Sequence, residues 1–304
     1  MVYEAYSSVC TDCRTVSRSL EPDRSAMDNP LFFEHLPVRP GKPRSTGITM
    51  VRDDGMPTAE LDGLLGSYGH VLDYLKFRQF VTWYLPPDEL RAKIRLCTDA
   101  QVRTFLGGTV LEAAHLHGRT EQALDTMTDY GLTAVEVSSS MVPLDTEQLA
   151  AVIGLAAQRG FEVLYEYGKK FQRTALDVDE AAHDIGRLLD AGAHRIIVER
   201  WQLDAALGPA GESDTAPRVA ELAERVGLQH LVFEAETLAH QVWLIETLGP
   251  EVNLGPNIAP FHVPSKLEPF RHGIGSEVGY SLFPTLVSRT GTAVGDLFRT
   301  PAQA

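Results

Sequence analysis

The sequence predicts an α/β protein built as a (β/α)8 TIM barrel with a short, disordered N-terminal extension, and three observations carry that prediction. From Gly47 onward a short β-branched or apolar run, a turn and a stretch of helical spacing recur in one cycle. Glycines at 69, 131, 160, 192, 227 and 249 close the helical stretches, as C-terminal glycines do. The turn after the first apolar run reads Arg52-Asp53-Asp54-Gly55-Met56-Pro57. It lacks the Gly-rich fingerprint of an open dinucleotide-binding sheet. Eight such units in roughly 250 residues match the number and length of a closed barrel.

The elements follow in order. Residues 1–40 show no sustained apolar period and end in a Pro-rich stretch, so they read as a tail and an extended arm, with the barrel domain at 41–304. Cys10 and Cys13 lie in that tail; with only Cys97 elsewhere they lack the partners a zinc site needs. The expected strands are Ile48–Asp53, Leu72–Phe77, Val102–Leu106, Ala134–Ser138, Glu162–Tyr167, Arg195–Arg200, His230–Glu234 and Glu251–Leu254. Amphipathic helices are expected at Thr146–Arg159, Val178–Ala191, Arg218–Val226 and Ala239–Leu248. The Gly/Pro/Ser-rich segment Leu207–Pro217 reads as a mobile lid.

Composition narrows the class. The chain has 304 residues with 27 Lys and Arg against 41 Asp and Glu, a net charge of −14. That balance argues against nucleic acid or an anionic membrane surface as partner. No apolar run approaches the ~20 residues of a membrane helix, and the N-terminus lacks the order of a secretory signal. Three cysteines fit a reducing compartment. The expectation is a cytoplasmic protein acting on a small molecule, with a homo-oligomer left open.

In a barrel of this kind the chemistry sits at the C-terminal ends of the strands. Those ends carry Asp53, Lys76 and Arg78, then Gly107, Gly108 and Thr109 with Glu112, then Glu136, Glu166 with Lys169 and Lys170, Glu199, Glu234, Asn253 and Asn257. A carboxylate inside a β-branched run is costly to bury without a cation or hydrogen bonds. Glu136, Glu166, Glu199 and Glu234 stand at matching places in successive strands, which suggests one shared site. Oxygen ligands in such numbers suit Mg²⁺; a ring of Glu–Lys/Arg pairs filling the mouth is the alternative. Gly107-Gly108-Thr109 reads equally as an anion nest or as a capping box between Thr109 and Glu112. Period-two alternation sets Lys170 on the face of Glu166, where apolar walls would lower its pKa and suit it to carry a proton.

The blocks KPRSTGITMVRDDG, LKF, LGGTVLEAA, AVEVSSS, EYGKK, VFEAE with Gln241, VNLGPNIAP and LEPFRHGI, in this order over about residues 33–277, resemble the phosphosulfolactate synthase family. The resemblance implies a barrel enzyme that adds sulfite to phosphoenolpyruvate with Mg²⁺, giving phosphosulfolactate in coenzyme M biosynthesis; plant heat-stress-associated relatives share the fold. It implies Lys170 as the general acid that protonates the enol carbon, with carboxylates holding the metal. On this reading Lys170, Lys169, Glu166 and Lys76 are catalytic. Asp53, Arg78, Gly107, Gly108, Thr109, Trp201 and Asn253 bind substrate, and Glu136, Glu166, Glu199 and Glu234 take the metal.

The chain departs from the family pattern in one direction. Trp201 stands where the family has an arginine, Leu203 where it has serine, Glu236 where it has proline, and KFGWGTS becomes Lys76-Phe77-Arg78-Gln79-Phe80-Val81-Thr82. Phe80, Trp83, Trp201 and Leu203 thus make the mouth more apolar. The expected function is a phosphosulfolactate-synthase-like lyase that adds sulfite or another nucleophile to phosphoenolpyruvate or a related enol acceptor. The alternatives are a repurposed barrel enzyme of specialised metabolism on a bulkier, less anionic substrate, and a non-catalytic stress-related or binding protein.

Overall fold

The computed structural model describes residues 39–171 and 175–282; the N-terminal extension with Cys10 and Cys13 lies outside them. The strands are β1 Thr49–Asp53, β2 Tyr74–Phe77, β3 Arg103–Leu106, β4 Ala134–Val137, β5 Glu162–Tyr167, β6 Ala193–Val198, β7 Leu231–Phe233 and β8 Leu254–Ile258. All are parallel, and their order, β3-β2-β1-β8-β7-β6-β5-β4, is that of a barrel open only between β3 and β4. At that seam the Thr133 amide donates to the Thr104 carbonyl (3.2 Å) and the Thr104 amide to the Thr133 hydroxyl (3.1 Å). Among the described residues no helix is long and apolar enough to cross a membrane.

Two apolar layers follow from the period-two alternation of the strands. Ile48, Met50, Tyr74, Phe105, Ala134, Leu164, Ile197 and Val232 meet inside the barrel as one cluster. The intervening residues, among them Val51, Leu75, Val135, Val163, Ile196 and Leu231, pack outward against the helices. Two residues beyond each inner position lie Arg52, Lys76, Gly107, Glu136, Glu166, Glu199 and Glu234. The apolar cluster is therefore the floor on which a polar layer stands.

Local signals set the helices as well. The helix Thr146–Gln158 begins with a capping box, in which Asp145 accepts from the Gln148 amide and Gln148 answers to the Asp145 amide. Val178–Asp190 is capped by Asp177, and Leu238–Leu248 by Thr237. In the segment read as a lid the Thr215 hydroxyl donates to the Ala206 carbonyl (2.8 Å), the Ser213 amide donates to the Leu207 carbonyl (3.2 Å), and Gly211 lies against the Trp243 side chain.

One strand falls elsewhere than the sequence suggested. β8 begins where the expected strand ended and runs through Gly255 and Pro256, residues that normally weaken a central strand. A bulge accommodates them: Thr49 pairs with Leu254, but Val51 pairs with Ile258. Gly255, at φ +144°, lies so close to β1 that an added Cβ would meet the Met50 side chain and stand 2.7 Å from its carbonyl oxygen. Gly255→Ala is therefore expected to cost roughly 2–4 kcal/mol in urea unfolding, from strain and overpacking together. A change below about 0.5 kcal/mol would refute the close approach.

Candidate active site

The polar layer gathers acids from four consecutive strands. Glu136, Glu166, Glu199 and Glu234 are all buried, at 1–4% exposure, at the C-terminal ends of β4 to β7. Two ammonium groups answer them. The Lys76 Nζ lies 2.7 Å from Glu136 Oε2, and the Lys170 Nζ lies 3.1 Å from Glu166 Oε1. Four carboxylates against two ammonium groups leave two negative charges uncompensated when all are ionised. Burial and mutual repulsion respond accordingly. Burial, then the nearby Glu136 charge, raises the Glu166 pKa, and burial with Glu166 beside it raises that of Glu234 well above the ordinary range. Burial lifts Glu199 to about 7, although the Trp201 amide donates to its carboxylate at 2.5 Å.

Lys170 departs from the expected lowered pKa. Burial pulls it down, but the carboxylates of Glu166, Glu136 and Glu234 raise it above the ordinary lysine value. Its ammonium is held by acids, not by apolar walls, so it stays charged. β5 ends at Tyr167 and Gly168 turns the chain at φ +123°, yet Lys170 returns to Glu166. Lys169, one residue earlier, is exposed and does not join this group.

Other expected site residues serve the scaffold. Asp53 belongs to the outward layer of β1. Its Oδ1 accepts from the Gly55 and Met56 amides at 2.8 and 2.7 Å, and its Oδ2 holds the buried Lys93 ammonium at 2.6 Å. It pins the first loop to the helix Pro87–Asp99 and does not line the mouth. Asn253 lies before β8, at the opposite end of the barrel, and is spent entirely on backbone: it accepts from the Ile48 amide and donates to the Leu228 and Leu231 carbonyls. Leu203, expected at the mouth, is fully buried in the core.

The anion nest is filled from within. The Gly107 amide donates to the Phe77 carbonyl (3.2 Å) and the Gly108 amide to Glu136 Oε1 (2.6 Å). A Cβ on Gly108 would stand 3.1 Å from that oxygen and 2.5 Å from the Ser138 hydroxyl, so glycine here admits the carboxylate. No capping box forms at Thr109, whose buried hydroxyl has no hydrogen-bond partner. Glu112 instead crosses to the loop after β4, accepting from the Ser140 amide at 3.1 Å and from the Met141 and Val142 amides at 2.7 Å, and from the Ser138 hydroxyl.

At the rim the departures from the family pattern meet one another. Arg200 pairs with Glu236 at 2.7 Å and lies over the Trp201 ring at 4.7 Å, while Trp201 stands 5.7 Å from Phe171. Asn257 donates to Glu234 and, at 3.1 Å, to Glu236. Arg78 is exposed and lies 3.7 Å from Asp54, which also holds Arg52 at 2.8 Å. Arg52, not Asp53, continues the inward face of Ile48 and Met50; the alternation in the sequence already contained that signal.

A divalent metal was expected on all four glutamates. Among the described residues no three His, Cys, Asp or Glu side chains are gathered to hold a metal ion. Both Glu136 oxygens are engaged by Gly108 and Lys76, and those of Glu166 by Ser140 and Lys170. Glu234 Oε2 and Asn257 Oδ1, by contrast, are buried oxygens without a hydrogen-bond partner. Hard oxygen donors and uncompensated negative charge fit Mg²⁺, which takes one or two carboxylates and completes its shell with substrate and water.

The comparisons agree with this architecture. The family model described as (2R)-phospho-3-sulfolactate synthase (ComA) matches residues 37–277. A phosphosulfolactate synthase from Methanothermobacter thermautotrophicus is 31% identical over 247 residues, 80% of this chain and 95% of that protein. The Methanocaldococcus jannaschii phosphosulfolactate synthase is 31% identical over 235 residues, 75% of this chain and 92% of that protein. Among solved structures, the carboxyl transferase domain of Rhizobium etli pyruvate carboxylase superposes with a TM-score of 0.52 at 13% identity, over 81% of this chain. The match spans about half (48%) of that chain, and it speaks for the barrel fold alone.

Two outcomes test these assignments. Lys93→Met should cost about 3–5 kcal/mol, because it strands the buried Asp53 carboxylate, and Asp53→Asn in the same chain should recover part of the loss in urea unfolding. For Glu199, whose folded pKa of about 7 exceeds its ordinary 4.5, the stability it allows is fully present below pH 4.5 and is lost as pH rises through 7. EDTA-treated Glu199→Gln should therefore exceed the parent at pH 8 by on the order of 1 kcal/mol, discounted for water at the open mouth, with the gap closing below pH 4.5. A pH-independent difference would contradict the assignment.

Proposed function

The chain belongs to the (2R)-phospho-3-sulfolactate synthase family, and on that premise we propose that it is a lyase adding a nucleophile, sulfite in the first instance, to phosphoenolpyruvate or a closely related enol acceptor. The observation that carries the reading is the buried layer in which Glu136, Glu166, Glu199 and Glu234 share two ammonium groups, Lys76 and Lys170.

The nucleophile's lone pair forms a bond to the methylene carbon of the acceptor, and the C=C pair moves into the acceptor's carboxylate. The carbon bearing the phosphate ester then takes a proton, so nothing is oxidised or reduced. Lys170 is the donor, because the surrounding carboxylates keep its ammonium charged until the substrate carbon becomes basic. Glu166 orients that ammonium, and Lys76, held by Glu136, offers positive charge to the anionic substrate. Mg²⁺ held by Glu234 and Asn257, with Glu199 nearby, would withdraw charge from the acceptor's carboxylate.

A second reading rests on the rim. Phe171 and Trp201 lie 5.7 Å apart, and Phe171 is 76% exposed. Together they offer an aromatic surface better matched to a bulkier, less anionic acceptor than to sulfite and phosphate alone.

The test is phosphoenolpyruvate consumption with sulfite and Mg²⁺. The expected outcome is turnover that EDTA abolishes, with Lys170→Met lowering kcat by roughly 10²–10⁴-fold while the circular dichroism spectrum stays unchanged. If the parent protein shows no turnover and no calorimetric binding of phosphoenolpyruvate with Mg²⁺, the acceptor assignment fails. Ligands with an aromatic group would then be titrated against the parent protein and Trp201→Ala.

A further inference from the structure

The opposite end of the barrel has the reverse electrostatic problem. The Lys42-Pro43-Arg44 segment, part of the block that opens the family resemblance, lies far from the carboxylates, beside the N-terminal ends of the strands. There it borders a cavity of about 260 Å³ whose walls include Lys42, Arg44 and Arg103 with Asp73 as the lining carboxylate. Arg103 is answered by Glu162 at 2.9 Å. Of the lining residues Asp73 is the carboxylate left for the other two cations: it lies 3.3 Å from Arg44 Nε, while its second oxygen accepts from the Thr49 amide at 2.9 Å, and Glu268 and Glu251 act on Arg44 from beyond the cavity.

The cations are poorly compensated. The Arg44 side chain is 3% exposed, its Nη1 is buried with no hydrogen-bond partner, and the Nε of neighbouring Arg195 is likewise without one. Lys42 donates only to the Ala100 and Gln101 carbonyls, both at 3.2 Å, and meets no carboxylate at ion-pair distance among the described residues. Burial brings the Lys42 pKa down to about 8 and lowers that of Arg44, while it raises that of Asp73. In a protein of net charge −14, an excess of cations gathered at a cavity is a local arrangement and not a reflection of composition.

We infer that this cavity binds a small oxyanion, a phosphate, sulfonate or carboxylate head set between Lys42, Arg44 and Arg103, with a short apolar stem against Pro43, Ile48 and Val102. The site is separate from the barrel mouth and does not depend on the lyase reading.

The experiment titrates the full chain calorimetrically with inorganic phosphate, methanesulfonate and propionate, which separates the three possible heads. In parallel, acetic anhydride labelling of Lys42 is followed by mass spectrometry with and without each anion. At least one anion should bind the parent protein, bind about tenfold more weakly to Lys42→Gln and Arg103→Gln, and slow Lys42 acetylation severalfold. The proposal is overturned if none of the three binds at up to 20 mM, if both variants bind as the parent does, or if Lys42 is acetylated at the same rate with the anion present. The labelling uses the unmodified sequence, so it decides the matter even where a variant fails to fold.

Discussion

Two ammonium groups, each paired with one glutamate, face four buried carboxylates at one end of this barrel, and much of the local architecture answers that imbalance. Lys76 and Glu136 lie on β2 and β4, so their ion pair passes over the end of β3, where the next residue is Gly107. A side chain at that position would press on the Lys76 Cε, 3.3 Å from an added Cβ. Gly108 then brings its amide to the same carboxylate, and Glu112 orders the following loop so that Ser140 reaches Glu166. Burying charge is costly, and a partly compensated cluster is retained where the residual charge is used.

The barrel and its strands were legible because alternation and turn chemistry are local. So were the four glutamates, since a carboxylate in the middle of AVEV, LYEY or IVER is conspicuous against its neighbours. Partner choice was not legible. Asp53 and Arg52 are adjacent, and only the parity set by Met50 tells which faces inward. Asn253 and Asn257 are four residues apart, and the bulge at Gly255-Pro256 makes the second the one near the carboxylates. Gly107-Gly108 has the sequence of a phosphate cradle, yet its donors are taken by groups from β2 and β4, which no local pattern discloses.

The departures from the family pattern are connected. Trp201 and Glu236 are separate changes along the chain. In the structure Glu236 receives Arg200, Arg200 covers the Trp201 ring, and Asn257 joins Glu236 to Glu234. Charge at the rim is thereby neutralised within the protein, which leaves the arginine less available to an external anion.

The seam between β3 and β4 gives these contacts a mechanical meaning. A barrel is a set of staves kept round by a hoop, and here the backbone hoop is broken at one stave. Near the floor two bonds through Thr104 and Thr133 span the gap. Toward the mouth it is bridged by the Gly108 amide on Glu136 and by Glu112 on the loop beyond β4. The clasp of the barrel is thus made partly from the same carboxylate that holds the Lys76 ammonium. Drawing Glu136 away from Gly108 would remove one of the contacts that close the ring at this end, so closure of the barrel and the charge balance of the polar layer depend on one side chain.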